Sequence, residues 1–134
     1  MLLPSVRLFF SCAGGNVNEE TDTITLVNPI FELHLPQGAQ FPFVIRSLFT
    51  YINLSGGLGA FRVHVEVSDE EGRLLTKTKP IPVEHKPDNR KSGSDYVVEI
   101  PEFKIKKPGV FTVSLFHNYK CIATTEICIL NFGE

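Results

Sequence analysis

Residues 107–130 read KPGVFTVSLFHNYKCIATTEICIL, and this stretch predicts a β-hairpin. Large apolar and small polar residues alternate from Val110 to Leu115, which places the two kinds of side chain on opposite faces of a strand. Asn118 lies in the turn that follows, where a tight hairpin favours a residue that tolerates the left-handed backbone conformation. A hairpin is not stable alone in water, so the rest of the chain must supply a sheet and an apolar layer.

The chain has the size and composition of one soluble globular domain, which we expect to span residues 1–134. Apolar residues make up 43% of the 134 residues and charged residues 21%. The 11 phenylalanines favour a β-rich core, because aromatic side chains suit a pleated surface. The net charge of −2 gives no electrostatic case for nucleic acid or an anionic membrane, so neither is an expected partner.

Other segments show the same period of two. Residues 60–68 alternate between apolar and polar, and Gly72 then stands where a hairpin loop needs a positive φ. Short strands of this kind recur at nearly regular spacing, and no segment predicts a helix. We therefore predict an all-β fold, a single antiparallel immunoglobulin-like β-sandwich of about seven to nine strands. The core would contain the large apolar residues of the two alternating strands: Phe61, Val63, Val65, Val67, Phe111, Val113 and Leu115.

Residues 43–54 predict the longest strand, and this strand is apolar on both faces. We expect its aliphatic side, with Leu48 and Ile52, to fill the core. Phe49 and Tyr51 would then lie on the outer side and form the interface of a symmetric dimer, since exposed apolar patches tend to mark interfaces. Cover by a loop or by residues 30–35 of the same chain is the alternative.

Several stretches of the sequence also resemble those of a protein family. They are the early strand that ends at Cys12, the segment Thr25-Leu26-Val27, the dipeptide Phe41-Pro42 with the strand that follows it, the alternating strand from Phe61, and the segment Pro108-Gly109-Val110-Phe111. Together they resemble a family of small uncharacterised bacterial proteins that look like single immunoglobulin-like β-sandwiches. The resemblance implies that fold for nearly the whole chain. It implies no activity and no catalytic residue.

The three cysteines are expected to be reduced, which favours a cytoplasmic protein. Cys121 and Cys128 lie on one predicted strand, roughly 23 Å apart at about 3.3 Å per residue, which is far beyond disulfide reach. Cys12 follows a short apolar run that faintly resembles a lipoprotein signal. Arg7 interrupts that run, so we predict a first strand there instead.

No cluster of residues predicts catalysis, a metal or a cofactor. The four histidines (His34, His64, His85 and His117) lack the paired spacing of metal ligands. The glycines at 56, 57 and 59 precede a predicted strand, whereas a phosphate-binding glycine loop needs a helix behind it.

The sequence therefore favours a protein without catalytic activity that binds or assembles. Such a module would present a sheet face, an edge or the polar loop 86–94 to an unknown protein partner or to a second copy of itself. The alternative is a small enzyme with a cryptic site around Cys12, Cys121 or His64.

Overall fold

The computed structural model describes residues 5–18, 20–21, 23–55, 59–85 and 94–133. These residues form twelve strands and no helix, which confirms the all-β class. The strands are β1 (Ser5–Asn18), β2 (Thr23–Ile30), β3 (Glu32–His34), β4 (Phe43–Ile45), β5 (Phe49–Ser55), β6 (Gly59–Ser68), β7 (Leu74–Lys77), β8 (Ile81–His85), β9 (Ser94–Glu99), β10 (Phe103–Ile105), β11 (Gly109–His117) and β12 (Lys120–Leu130).

The strands form a sandwich of two sheets with a small third sheet. The four-stranded sheet has the order β2-β1-β5-β9, and each neighbouring pair is antiparallel. The six-stranded sheet has the order β3-β12-β11-β6-β7, and β8 pairs with the other half of β6. Strands β10 and β4 pair with each other in a separate antiparallel ribbon. An apolar layer fills the space between the sheets.

The predicted hairpin is present as β11 and β12. Phe111 pairs with Ile127, and the strands stay antiparallel from Gly109 to the turn. Asn118 has φ of 54° there, the left-handed conformation that its position in the sequence predicts. Because a β11–β12 hairpin would not be stable alone, it needs a larger sheet. The pairing of β11 with β6 on its other side supplies that sheet.

The predicted core is also confirmed. All seven residues are at most 7% exposed, and Val65, Val113 and Leu115 are completely buried. Ile52 and Leu54 of the four-stranded sheet complete the apolar layer, as expected for the aliphatic side of residues 43–54. Burial of each such side chain stabilises the fold by about 1.5–3 kcal/mol.

The number of strands exceeds the prediction, partly because residues 43–54 form two strands and not one. β4 pairs with β10, whereas β5 lies between β1 and β9. Ser47 separates them with φ of 58°, a conformation that interrupts a strand and redirects the chain. Leu48 then accepts a hydrogen bond at its carbonyl from the backbone N–H of Ile100, 2.8 Å away.

The sandwich is also not purely antiparallel, because β3 pairs with β12 in the parallel direction. Asn28 has φ of 46° and is followed by Pro29, so the chain bends where the sequence interrupts its strand pattern. β2 continues to Ile30, still paired with β1, and the chain then crosses to β3 at the edge of the other sheet. Residues 86–93 of the predicted polar loop lie outside the described residues.

The face assignment of β6 can be tested by Val65→Asp. Val65 is completely buried, so the variant should lose on the order of 3–5 kcal/mol, a large part of a typical stability of about 5–15 kcal/mol. Arg62→Asp places the same side chain at an exposed position of the same strand and should melt near the wild-type temperature. Equal melting temperatures for the two variants would contradict the assignment.

Candidate functional site

A cleft of about 370 Å³ lies at one end of the sandwich, between the β6–β7 loop (residues 69–73) and the β10–β11 turn (residues 106–108). Both connections reach this end because Thr112 of β11 pairs with Ser68 of β6. The walls combine three kinds of side chain: apolar (Pro42, Leu74, Leu75, Ile105 and Phe111), acidic (Asp69, Glu70 and Glu71) and basic (Arg73, Lys104, Lys106 and Lys107).

The acidic wall is held in shape by Asp69. Its Oδ1 accepts hydrogen bonds from the backbone N–H groups of Glu71 and Arg73, at 3.0 and 2.9 Å. Gly72 has φ of 81°, so the glycine supplies the left-handed residue that the sequence predicts in this loop. The hydrogen bond from the Arg73 backbone, with that from Glu71 and the nearby Arg73 guanidinium, lowers the pKa of the Asp69 carboxyl.

Glu70 connects the two sides of the cleft. Its Oε1 accepts a hydrogen bond from the backbone N–H of Val110, at 2.6 Å. Gly109 leaves room for this contact, because a Cβ at that position would collide with the Glu70 carboxylate. The β6–β7 loop is therefore fastened to the start of β11.

The charged groups of the two walls differ in whether their side chains already have partners. Arg73 forms ion pairs with Asp69 and Glu71, and Glu70 is hydrogen-bonded to the backbone. By contrast, Lys104, Lys106 and Lys107 form no ion pair or hydrogen bond with the described residues. The cleft therefore offers lysine side chains without partners among the described residues, beside an apolar floor in which Leu74 is 52% exposed.

Two backbone edges also border the cleft. Within the described part of the chain, β7 pairs only with β6, and β10 pairs only with β4. The other edge of each strand therefore has N–H and C=O groups without a strand partner. Leu74 and Leu75 of β7 and Lys104 of β10 line the cleft, so these edges lie beside it.

The predicted interface residues lie on the outer face of the four-stranded sheet. Phe49 is half-buried, whereas Tyr51 is 5% exposed and offers little surface. Phe10 packs edge-on against the Tyr51 ring, with 5.3 Å between the ring centroids. The Tyr51 hydroxyl donates a hydrogen bond to Asp95, 2.6 Å away. Burial, reinforced by the Asp95 carboxylate, raises the pKa of Tyr51 to about 12.

The residues considered for a cryptic enzyme site are dispersed. Cys12 is completely buried in β1, where burial raises the pKa of its thiol. His64 and Cys121 lie in the six-stranded sheet, each paired with Phe116 of β11. The His64 ring stacks on Phe116 and its Nε2 lies 2.7 Å from Glu66 Oε2. Cys121 instead donates a hydrogen bond to the carbonyl of Ala123 in its own strand.

All three cysteines are free. The described residues contain no group of three or more His, Cys, Asp or Glu side chains that could hold a metal ion. They also contain no helix that is long and apolar enough to cross a membrane.

Comparisons with known proteins give no match for this chain, either among protein-family models or among curated proteins.

The two loops that form the cleft, the loop at Gly72 and the turn at Gly109, are recognisable in the sequence, but the cleft itself is not. Their proximity depends on the β6–β11 register, for which the alternating pattern of each strand gives the facing side but not the offset. The Glu70 contact with Val110 has no local sequence signal.

Asp69→Asn tests the electrostatic part of the acidic loop, since the amide oxygen can still accept the backbone hydrogen bonds. A carboxyl with a lowered pKa stabilises the folded state above its unfolded pKa, and this contribution is lost as the pH falls through the folded pKa. We expect Asp69→Asn to be less stable than wild type at pH 7 and to lose less stability between pH 5 and 2. Urea unfolding at pH 7, 5 and 2 measures the stability of both proteins.

Glu84→Gln on β8 provides the control, because it changes the net charge by the same amount away from the loop. Identical pH profiles for wild type and Asp69→Asn would exclude the electrostatic role.

Proposed function

We propose that this protein is a binding module without catalytic activity, and that its cleft holds an extended peptide segment of a protein partner. The segment would carry alternating apolar and acidic side chains. The observation that supports this most directly is the combination of an exposed apolar floor with three lysines that lack ion-pair partners in the described residues.

Charge supports an acidic ligand over a basic one. The acidic groups of the cleft already interact with Arg73 or with the backbone. A carboxylate on the ligand would meet Lys104, Lys106 or Lys107 without having to displace a partner from the described part of the chain. Such exposed pairs contribute about 0–1 kcal/mol each and mainly set specificity and the rate of association.

The backbone edges favour a peptide over a small amphipathic molecule. A peptide in the extended conformation can pair with the N–H and C=O groups of β7 or β10 that have no strand partner among the described residues, adding a strand while its side chains enter the cleft. A small anion with an alkyl chain would use the floor and the lysines but leave these backbone groups unused.

The position of the reactive residues supports a role without catalysis. Cys12 belongs to one sheet, whereas Cys121 and His64 belong to the other and lie on either side of Phe116. Catalysis by a nucleophile requires it to be within hydrogen-bond reach of its base. The same proposal treats the sandwich as immunoglobulin-like and as a member of the bacterial family that its sequence resembles, since such small sandwiches often act as scaffolds for recognition.

The peptide proposal can be tested with two capped peptides, acetyl-VEVEVE-amide and acetyl-VKVKVK-amide, titrated into ¹⁵N-labelled protein. We expect the acidic peptide alone to shift the amide signals of the cleft. The double variant Lys106→Glu, Lys107→Glu should weaken its binding at least ~10-fold, because attractive pairs become repulsive and tenfold corresponds to about 1.4 kcal/mol.

Lys120→Glu is the control for charge reversal away from the cleft, since Lys120 begins β12 opposite His117, at the other end of β11. Binding of both peptides with equal affinity, or no shift at the cleft, would contradict the proposal. Binding of dodecanoate but not of the acidic peptide would replace the peptide with a small amphipathic anion.

Assembly with a second copy through the four-stranded sheet is a second candidate function. The outer face of this sheet carries Phe49 and Tyr51, and Phe10 packs on Tyr51 there. Around them Leu8 is 51% exposed, Val27 47% and Phe31 60%, an apolar surface of the kind that marks interfaces. Phe49 supplies contact area, and Tyr51 supports the face from within.

A further inference from the structure

We infer that the outer edge of β2 pairs with β2 of a second copy, antiparallel about Thr25, to join two four-stranded sheets into one continuous sheet. This inference rests on the second candidate function, self-assembly, and is independent of the cleft. It places the contact at the sheet edge, whereas the apolar face around Phe49 would lie beside it.

The described residues leave the outer edge of β2 unprotected. In the described part of the chain β2 pairs only with β1, so its other side has free backbone groups. The strand TITLVNPI contains no charged residue, although charges on an edge are the usual defence against pairing with another chain. Each of the other outer strands of the two main sheets has such a charge: Glu32 in β3, Lys77 in β7, Glu84 in β8, and Asp95 and Glu99 in β9.

The orientation of the backbone identifies the groups that are available. The carbonyl oxygen of Thr25 faces β1, where a Cβ added to Gly15 would lie 2.5 Å from it. Backbone groups of successive strand residues point to alternate sides, so the N–H and C=O groups of Ile24 and Leu26 point outward. An antiparallel copy centred on Thr25 would place Ile24 opposite Leu26 twice, with about four backbone hydrogen bonds.

The side chains of β2 are complementary to those of a second β2 strand related by a two-fold axis at Thr25. Ile24 and Leu26 share one face of the strand, so each would lie beside the other residue of the partner strand and extend the apolar side of the sheet. Thr25 would face the partner's Thr25 on the opposite side, a favourable cross-strand pair. No like charges meet, and the match is symmetric about a two-fold axis, which is why a second copy is the expected occupant.

The pairing would end where the strand becomes irregular. Asn28 has φ of 46° and Pro29 lacks a backbone donor, so regular pairing is confined to residues 23–27. Five residues of strand span roughly 17 Å. We expect an edge of this length, with the exposed Val27 side chain beside it, to give a dimer that forms at micromolar rather than nanomolar protein concentration.

Size exclusion with light scattering at 10–100 μM tests the inference. The wild type should approach twice the 15.0 kDa mass of the chain as its concentration rises. Thr25→Lys and Thr25→Glu should each remain monomeric, because the two-fold axis places like charges opposite each other. An equimolar mixture of these two variants should regain the dimer, a result that a simple folding defect would not give.

Thr124→Lys is the matched control, since Thr124 is an exposed threonine of β12 in the other sheet, and it should dimerise like wild type. Phe49→Glu tests whether the dimer forms through the edge of β2 or through the apolar outer face around Phe49. A wild-type monomer at all concentrations would overturn both the assembly and the edge contact. A dimer that Phe49→Glu dissociates and Thr25→Lys does not would overturn the edge contact alone.

Discussion

The ladder between β11 and β6 is the constraint on which the other features depend. Val113 lies opposite Val67 and Leu115 opposite Val65, and these four side chains form a completely or almost completely buried centre of the six-stranded sheet. A shift of one residue in this register would turn one strand's apolar set outward. Because apolar burial is the main favourable term in folding, the ladder is fixed by the core and not by the loops that it brings together.

The cleft is a consequence of this register. Once Thr112 is aligned with Ser68, the β6–β7 loop and the turn before β11 must lie at the same end of the sandwich. Glu70 then reaches the Val110 backbone, and Asp69 organises the loop through its backbone hydrogen bonds. Recognition at this end would therefore use loops supported by a rigid sheet, an arrangement that many binding proteins share.

The two sheets differ in their outer strands. The six-stranded sheet has short or charged outer strands, and on one side the parallel strand β3 covers the end of β12. One outer strand of the four-stranded sheet is β2, which is uncharged and longer than β3, β7 or β8, whereas the other, β9, carries Asp95 and Glu99. An uncharged edge and an apolar outer face on the same sheet give it two features of a contact surface, whereas the cleft lies elsewhere in the molecule.

The sequence by itself determined the strand faces, the hairpin and the core. The period of two in β6 and β11 is local, and residues such as Val65 and Leu115 must be buried whichever strands adjoin them. Three features were decided only by tertiary structure: the break at Ser47, the parallel pairing of β3 and the cleft. Each depends on which distant segments meet, and alternation specifies a side chain's face without specifying its neighbour. For the same reason, the apolar pattern of residues 43–54 showed that both faces of this segment needed cover but did not show what covers them. Only the tertiary structure places Phe10 on Tyr51, where it covers part of the outer face.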